Sequence, residues 1–131
     1  GLYFTDSINN WNGQITAENV TYVPWKDLVM KSGYIPFDVA RAQYRRIKNL
    51  DGSYSVQFRG AIKPTSGNFI TTQVSVATLS GIYLPPVNTT RQASDSSGKG
   101  ARVLIEPNGN LSIWAPNTSW YVYIDSLTYI N

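Results

Sequence analysis

Residues 44–63 carry the clearest alternation of apolar and polar side chains in the chain. Four apolar side chains share one parity here, namely Tyr54, Val56, Phe58 and Ile62. A period of two is typical of a strand with one buried face. Asp51-Gly52 suits a type I′ turn and separates this strand from a partner that begins at Tyr44. The pattern predicts an antiparallel hairpin, with a bulge or a close backbone approach at Gly60.

A second hairpin is predicted over residues 101–114, with Asn108-Gly109 at its turn. We expect Trp114 on the outward parity of the second strand. The positions expected to face the core are Val103, Ile105, Leu111 and Ile113. Both hairpins indicate an antiparallel fold.

Shorter apolar runs predict further strands, at residues 2–5, 20–23, 26–31, 70–76 and 120–129. A parity change at Asp125-Ser126 predicts a bulge in the last strand. Residues 34–43 fit either a short helix after Pro36 or a loop. Residues 88–100 are polar and small, which predicts a long mobile loop. Several short strands at spacings of about ten residues predict one all-β domain over residues 1–131, a compact antiparallel β-sandwich or barrel.

The composition of the chain limits which catalytic groups and partners it can use. The chain has no Cys and no His, which excludes disulfides and His- or Cys-dependent catalysis within one chain. The net charge of +3 is mild, so we expect no nucleic-acid partner. We find no apolar run that could span a membrane and no signal peptide, and we expect no metal or other cofactor. The chain begins abruptly at Gly1, and we expect it to be part of a longer protein.

The acidic side chains do not suggest a catalytic pair. A glycosidase needs two carboxylates on either side of the scissile bond. Asp51 belongs to a turn, Glu106 ends a strand beside a turn, and Asp27 lies on an expected solvent face. We therefore expect no enzyme, and a polysaccharide depolymerase is the less favoured alternative.

Aromatic residues are more informative, because sugars bind aromatic faces while polar side chains hold their hydroxyls. Trp11 lies in an Asn-rich segment, Trp114 on an outward parity and Trp120 at a junction between loop and strand. Arg91 and Asp95 lie in the predicted mobile loop. These five residues are the candidate carbohydrate-binding set, although for any one of the aromatics core packing is the favoured alternative. We assign Trp25, beside Pro24, to packing.

An ordered series of short motifs resembles a known family. The motifs include Trp25-Lys-Asp-Leu28, Val56-Gln-Phe-Arg-Gly60, Leu79-Ser-Gly-Ile-Tyr-Leu-Pro-Pro86, Arg102-Val-Leu-Ile-Glu-Pro-Asn-Gly-Asn-Leu-Ser-Ile113 and Tyr121-Val-Tyr-Ile-Asp-Ser-Leu-Thr-Tyr129. Over residues 22–131 the series resembles the C-terminal head domain of receptor-binding proteins from baseplates of siphophages that infect lactic acid bacteria.

The resemblance implies a homotrimeric head at the phage tail tip that adheres to saccharides of the host cell wall and joins the rest of the baseplate. Ligand sites in this family use Trp, Asp, Arg and, in several members, His, which this chain lacks. Residues 1–21 and the loops 88–100 and 115–119 lie outside the recognisable framework, so specificity is expected there. The main alternative is a structural β module of the tail fibre or baseplate.

Overall fold

The computed structural model describes residues 22–37 and 41–131, and over these its regular secondary structure is almost entirely β-strand. Its strands are β1 (Lys26–Asp27), β2 (Val29–Met30), β3 (Tyr34–Pro36), β4 (Gln43–Lys48), β5 (Tyr54–Arg59), β6 (Ala61–Pro64), β7 (Val74–Thr78), β8 (Thr89–Ala93), β9 (Ala101–Ile105), β10 (Asn110–Trp114), β11 (Val122–Tyr123) and β12 (Thr128–Ile130). A short 3-10 helix covers Gly81–Tyr83. Within the described residues no helix is long and apolar enough to cross a membrane.

The strands form three antiparallel sheets. Their orders are β2-β7-β10-β9-β8, β11-β6-β3 and β12-β5-β4-β1. One cluster of buried apolar side chains joins them, with Val56, Ile62, Val103, Ile113 and Ile124 among its fully buried members. The predicted all-β antiparallel fold is confirmed.

The first hairpin, β4–β5, is confirmed, but its predicted turn is wrong. Lys48 pairs with Tyr54. Asn49 N–H donates to the Ser53 carbonyl at 2.7 Å, and Gly52 N–H donates to the Asn49 carbonyl at 3.0 Å. The loop therefore has three residues, ending at Gly52 with φ +91°. Asp51 Oδ1 also accepts the Ser53 N–H at 2.9 Å, which favours this loop over a two-residue turn.

The β9–β10 hairpin repeats the same loop at Pro107–Gly109, so the two-residue turn predicted there is also wrong. Gly109 N–H donates to the Glu106 carbonyl at 2.8 Å. Gly109 has φ +93°, and a Cβ atom on it would lie 2.1 Å from the Leu79 carbonyl oxygen. The inward parity is confirmed, because the four predicted core positions Val103, Ile105, Leu111 and Ile113 are buried.

Two predicted strands are each divided between sheets. The run 26–31 becomes β1 in the four-stranded sheet and β2 in the five-stranded sheet, with Leu28 buried between them. The run 120–129 becomes β11 in the three-stranded sheet and β12 in the four-stranded sheet, with a turn where a bulge was predicted. Periodicity alone does not show a strand changing partners, because the change depends on distant segments.

The prediction of one long loop over residues 88–100 is wrong in its first half. Thr89–Ala93 form β8, which pairs with β9 at the edge of the five-stranded sheet. Backbone pairing orders this polar segment despite its lack of alternation. The strand predicted at 70–76 begins only at Val74. Residues 34–43, predicted as a short helix or a loop, instead begin with β3 at Tyr34–Pro36 and end at the first residue of β4, Gln43. The helix considered after Pro36 would include residues 38–40, which are outside the described residues, as are the strands predicted at 2–5 and over most of 20–23.

Candidate functional site

A four-residue turn over residues 124–127 lies where two sheets meet. Ile124 and Leu127 are fully buried, while Asp125 and Ser126 between them are exposed. Leu127 N–H donates to the Ile124 carbonyl at 3.1 Å and closes the turn. Two apolar anchors thus hold two polar side chains at the surface. We call this segment the 124–127 turn.

The turn is joined to Gly60, where β5 of one sheet continues into β6 of another. Ile124 N–H donates to the Gly60 carbonyl at 2.8 Å. Gly60 N–H donates to Asp125 Oδ1 at 2.7 Å. No group among the described residues donates to Asp125 Oδ2, so this oxygen can accept a ligand hydroxyl. The close backbone approach predicted at Gly60 is confirmed.

One cleft lies on the β5 and β12 side of the turn and has a volume of about 400 Å³. We call it the Trp25 cleft. Its lining combines an aromatic ring with charged and hydroxyl groups: Trp25, Gln57, Phe58, Arg59, Asp125, Ser126, Leu127 and Thr128. Such a mixture can stack on a sugar and hold its hydroxyls.

Trp25 is held by two arginines of the β4–β5 hairpin. The guanidinium carbons of Arg45 and Arg59 lie 4.2 and 4.4 Å from the Trp25 ring centre, within cation–π range. Arg59 Nε and Nη2 both donate to Gln43 Oε1, at 2.9 and 2.7 Å, which fixes the guanidinium. Trp25 therefore packs against neighbouring side chains as predicted, but its half-buried ring also lines the cleft.

A second cleft of about 260 Å³ lies on the other side of the turn, lined by Ser94, Tyr123, Asp125 and Ser126. We call it the Tyr123 cleft. A hydrogen bond with Tyr121 is the main cause that raises the pKa of Tyr123, and the charge of Tyr121, burial and, least, the charge of Asp125 add to it. The two clefts share Asp125 and Ser126, so they adjoin along the turn.

Aromatic side chains continue from Tyr123 along the surface. Tyr123 meets Tyr121 at 5.2 Å between ring centres, Tyr121 stacks on Phe37 at 4.3 Å, and Trp120 meets both Phe37 and Tyr121 edge-on. Trp120 is 45% exposed, and Lys63 Nζ lies 5.9 Å from its ring centre. Of the five predicted site residues, Trp120 is the one placed in an exposed aromatic cluster beside the clefts.

Asp95 lies beneath this surface rather than on it. It is buried, and its carboxylate accepts hydrogen bonds from the hydroxyls of Ser97 and Ser119 and from the backbone N–H groups of Lys99 and Gly100. Burial alone would raise the pKa of Asp95, but these hydrogen bonds lower it to about 2. Asp95 therefore supports the loop that carries Ser94 rather than presenting a carboxylate to solvent.

The other predicted site residues are dispersed. Arg91 is exposed on β8 opposite Val103, whereas Trp114 pairs with Arg102, whose guanidinium carbon lies 5.4 Å from the Trp114 ring centre. Since neighbouring positions alternate in direction, Arg91 and Trp114 lie on opposite faces of the five-stranded sheet. Trp11 lies outside the described residues.

Sequence reasoning missed Asp125, Tyr123 and the exposed role of Trp25. The parity change at Asp125-Ser126 was the available signal, because two polar residues between buried apolar ones suit an exposed turn. Nothing local indicated that Trp25 would reach this turn. Within the described residues no group of three acidic side chains lies close enough to hold a metal ion.

Comparison with known proteins finds a similarity in fold. No family model matches the sequence. No curated protein matches it either. A solved structure with this fold is the receptor-binding protein gp15 of Listeria phage PSA, with a TM-score of 0.67 and 18% sequence identity. The match covers 84% of this chain and 66% of gp15, just under two thirds of its length. The resemblance found in the sequence is confirmed for the fold, and the host group stays a prediction.

Proposed function

We propose that this chain is the receptor-binding head domain of a phage tail and that it binds a saccharide of the host cell wall without enzymatic activity. The shared fold with gp15 supports the receptor-binding role. The proposal includes a single head domain over residues 1–131, assembly as a homotrimer, attachment to the remainder of the baseplate and a location at the virion tail tip.

The observation that carries the proposal is the setting of Asp125. Its carboxylate is fixed by Gly60 through Oδ1 and stands exposed between two clefts that bear Trp25 and Tyr123. A pre-positioned acceptor beside aromatic rings is the arrangement that holds sugar hydroxyls while the ring stacks. We therefore place the binding site at the 124–127 turn.

Trp120 and its aromatic cluster extend this surface and remain part of the proposed site. Asp95 is proposed as a positioning residue, because its four donors tie together residues 97–100 and Ser119, which precedes Trp120. Trp11, Arg91 and Trp114 remain candidates for separate ligand contacts, and nothing in the described geometry brings Arg91 or Trp114 to the turn.

Two alternatives make different predictions. A depolymerase would need a second carboxylate across the cleft, whereas Asp125 is the one acidic residue lining either described cleft. A purely structural tail module would bind no saccharide at all. We favour adhesion, because the described clefts hold polar and aromatic groups suited to binding.

The direct test is binding of the full chain to purified wall polysaccharides and whole cells from a panel of lactic acid bacteria and Listeria. We expect selective binding, and we expect Asp125→Asn to weaken it about tenfold or more by removing a charged hydrogen-bond acceptor. The Asn side chain can still accept the Gly60 N–H, so the turn should persist. Calorimetry with the bound polysaccharide measures the change.

Asp51→Asn is the matched control. Asp51 is also exposed in a turn and accepts a backbone N–H, from Ser53 at 2.9 Å, but it lies at the tip of the β4–β5 hairpin. The Asp51→Asn variant should therefore bind the polysaccharide as tightly as the parent chain. Absence of binding throughout the panel would favour a structural module, and release of shortened polymer would favour a depolymerase.

A further inference from the structure

The Trp25 cleft and the Tyr123 cleft share Asp125 and Ser126 as a common wall, and their volumes indicate the size of ligand that they can hold. Small-molecule sites typically measure about 300 to 1,000 Å³. The Tyr123 cleft, at about 260 Å³, falls below this range, and the Trp25 cleft, at about 400 Å³, lies near its lower end. The Tyr123 cleft is therefore small for a ligand of its own, and the Trp25 cleft has room for a small ligand. A ligand that occupies both and crosses Ser126 would have a site of ordinary size.

The groups lining the two clefts are alike in kind. Each contains a partly exposed aromatic side chain, Trp25 in the first and Tyr123 in the second, and the buried Phe58 also lines the first. Each also contains hydroxyl groups, including Thr128 in the first and Ser94 in the second. Asp125 belongs to both. This repetition of an aromatic ring with a hydroxyl, on either side of one carboxylate, matches the repetition of rings in a saccharide chain.

The charges at the clefts nearly balance. Arg59 lines the Trp25 cleft together with Asp125, and no other charged side chain lines either cleft. A strongly anionic segment would meet the Asp125 carboxylate, which is common to both clefts, and like charges repel. The pair of Arg59 as donor and Asp125 as acceptor instead suits the hydroxyls of uncharged sugars.

We propose that the head binds two successive uncharged sugar rings of a polysaccharide chain, one in each cleft, with the connecting linkage over Ser126. This inference rests on the proposed function and specifies its ligand. The site recognises the interior of a chain rather than a single sugar. Because the two rings are covalently joined, binding of the first raises the effective concentration of the second.

The test uses neutral oligosaccharides of one to four rings, obtained by partial hydrolysis of a wall polysaccharide that the chain binds and separated by size. Calorimetry should show affinity at least about tenfold higher for two rings than for one, as expected for linked contacts. A gain below about threefold, less than half of the 1.4 kcal/mol that a tenfold change represents, would overturn the proposal.

Four substitutions by Trp locate the rings. Thr128→Trp should fill the Trp25 cleft and Ser94→Trp the Tyr123 cleft, each removing the gain from the second ring. Ser126→Trp should block both and abolish binding. Thr90→Trp, at an exposed threonine of β8 in another sheet, is the matched control for Thr128→Trp and should bind like the parent chain. Thermal unfolding of each variant establishes that it is folded.

The outcomes separate the two proposals. If the intact polysaccharide binds but only one of the two cleft variants, Thr128→Trp or Ser94→Trp, weakens the two-ring ligand, the two-ring inference is overturned and the adhesion function stands. If neither the polysaccharide nor any fragment binds, the proposed function itself fails. Loss of the two-ring gain in both variants, with Thr90→Trp unaffected, supports the inference.

Discussion

Two aspartates near the site illustrate how the environment of a single residue sets its role. Asp125 is exposed and accepts one backbone N–H, from Gly60. Asp95 is buried and accepts two hydroxyl and two backbone hydrogen bonds. The first has an oxygen available for a ligand, whereas the oxygens of the second are committed to the protein. Asp125 is thus suited to binding and Asp95 to stability.

The low pKa of Asp95 predicts acid sensitivity of the fold. The pKa is lowered from 3.8 to about 2 in the folded protein, so the unfolded state binds the proton more tightly. The stability contribution is present above about pH 5 and is lost as pH falls from about 4 through 2. Its size is about 2 kcal/mol, from the free energy per pKa unit. Urea unfolding between pH 2 and 7 measures it.

Asp95→Asn isolates this contribution from those of the other carboxylates. The amide removes the charge and places a donor against existing donors, so we expect a loss of about 1–3 kcal/mol at pH 7. The difference in unfolding free energy between parent and variant should shrink toward pH 2. A difference independent of pH would show that the Asp95 charge is not the cause.

Among the elements of the fold, the two hairpin loops share one backbone conformation. Each loop ends in a glycine with positive φ, Gly52 at +91° and Gly109 at +93°. Their surroundings differ. A Cβ atom on Gly52 would meet nothing within 4 Å, whereas one on Gly109 would lie 2.1 Å from the Leu79 carbonyl oxygen. Substitution of each glycine can therefore separate the cost of a left-handed backbone conformation from the cost of a steric clash with a neighbouring segment.

We predict that Gly52→Ala lowers the free energy of unfolding by about 1 kcal/mol, the cost of a left-handed conformation with a side chain. Gly109→Ala should cost about 3 kcal/mol or more, because the backbone must also move away from Leu79. Leu79 N–H donates to the Gly109 carbonyl at 2.8 Å, so this movement weakens a second contact. Urea denaturation of both variants measures the costs, and equal costs would contradict the steric argument.

At the scale of the whole molecule, the proposed adhesion function makes assembly the main determinant of how firmly the chain would attach. We predict that the chain forms a homotrimer in solution, with a mass three times that of the monomer by light scattering. Three heads on one particle should bind whole cells at least about 100-fold more tightly than a single site binds a soluble fragment. Surface binding at decreasing ligand density measures this ratio.

The same experiment has an internal control. At a ligand density too low for two heads to bind at once, the gain from multiple sites should disappear, because linked binding requires simultaneous contact. A monomeric mass, or binding that does not change with ligand density, would contradict the trimer proposal while leaving the single-site proposal unaffected.

The sequence by itself determined the hairpins and the residues that face the core. Val56, Phe58, Val103 and Ile113 are buried as the alternation predicts, because a strand turns successive side chains to opposite faces whatever its partner is. The resemblance to phage receptor-binding heads also came from the order of such motifs. These features depend on local geometry, which a sequence expresses directly.

Only the tertiary structure decided the location of the candidate site. The chain changes sheets at Leu28, at Gly60 and at the 124–127 turn, and each change depends on hydrogen bonds between segments far apart in sequence. Asp125 acquires its position from Gly60, and Trp25 reaches the same cleft through its arginine neighbours. Periodicity carries no information on such distant contacts. The predicted binding residues that the structure describes are therefore dispersed, whereas the two clefts lie at the 124–127 turn.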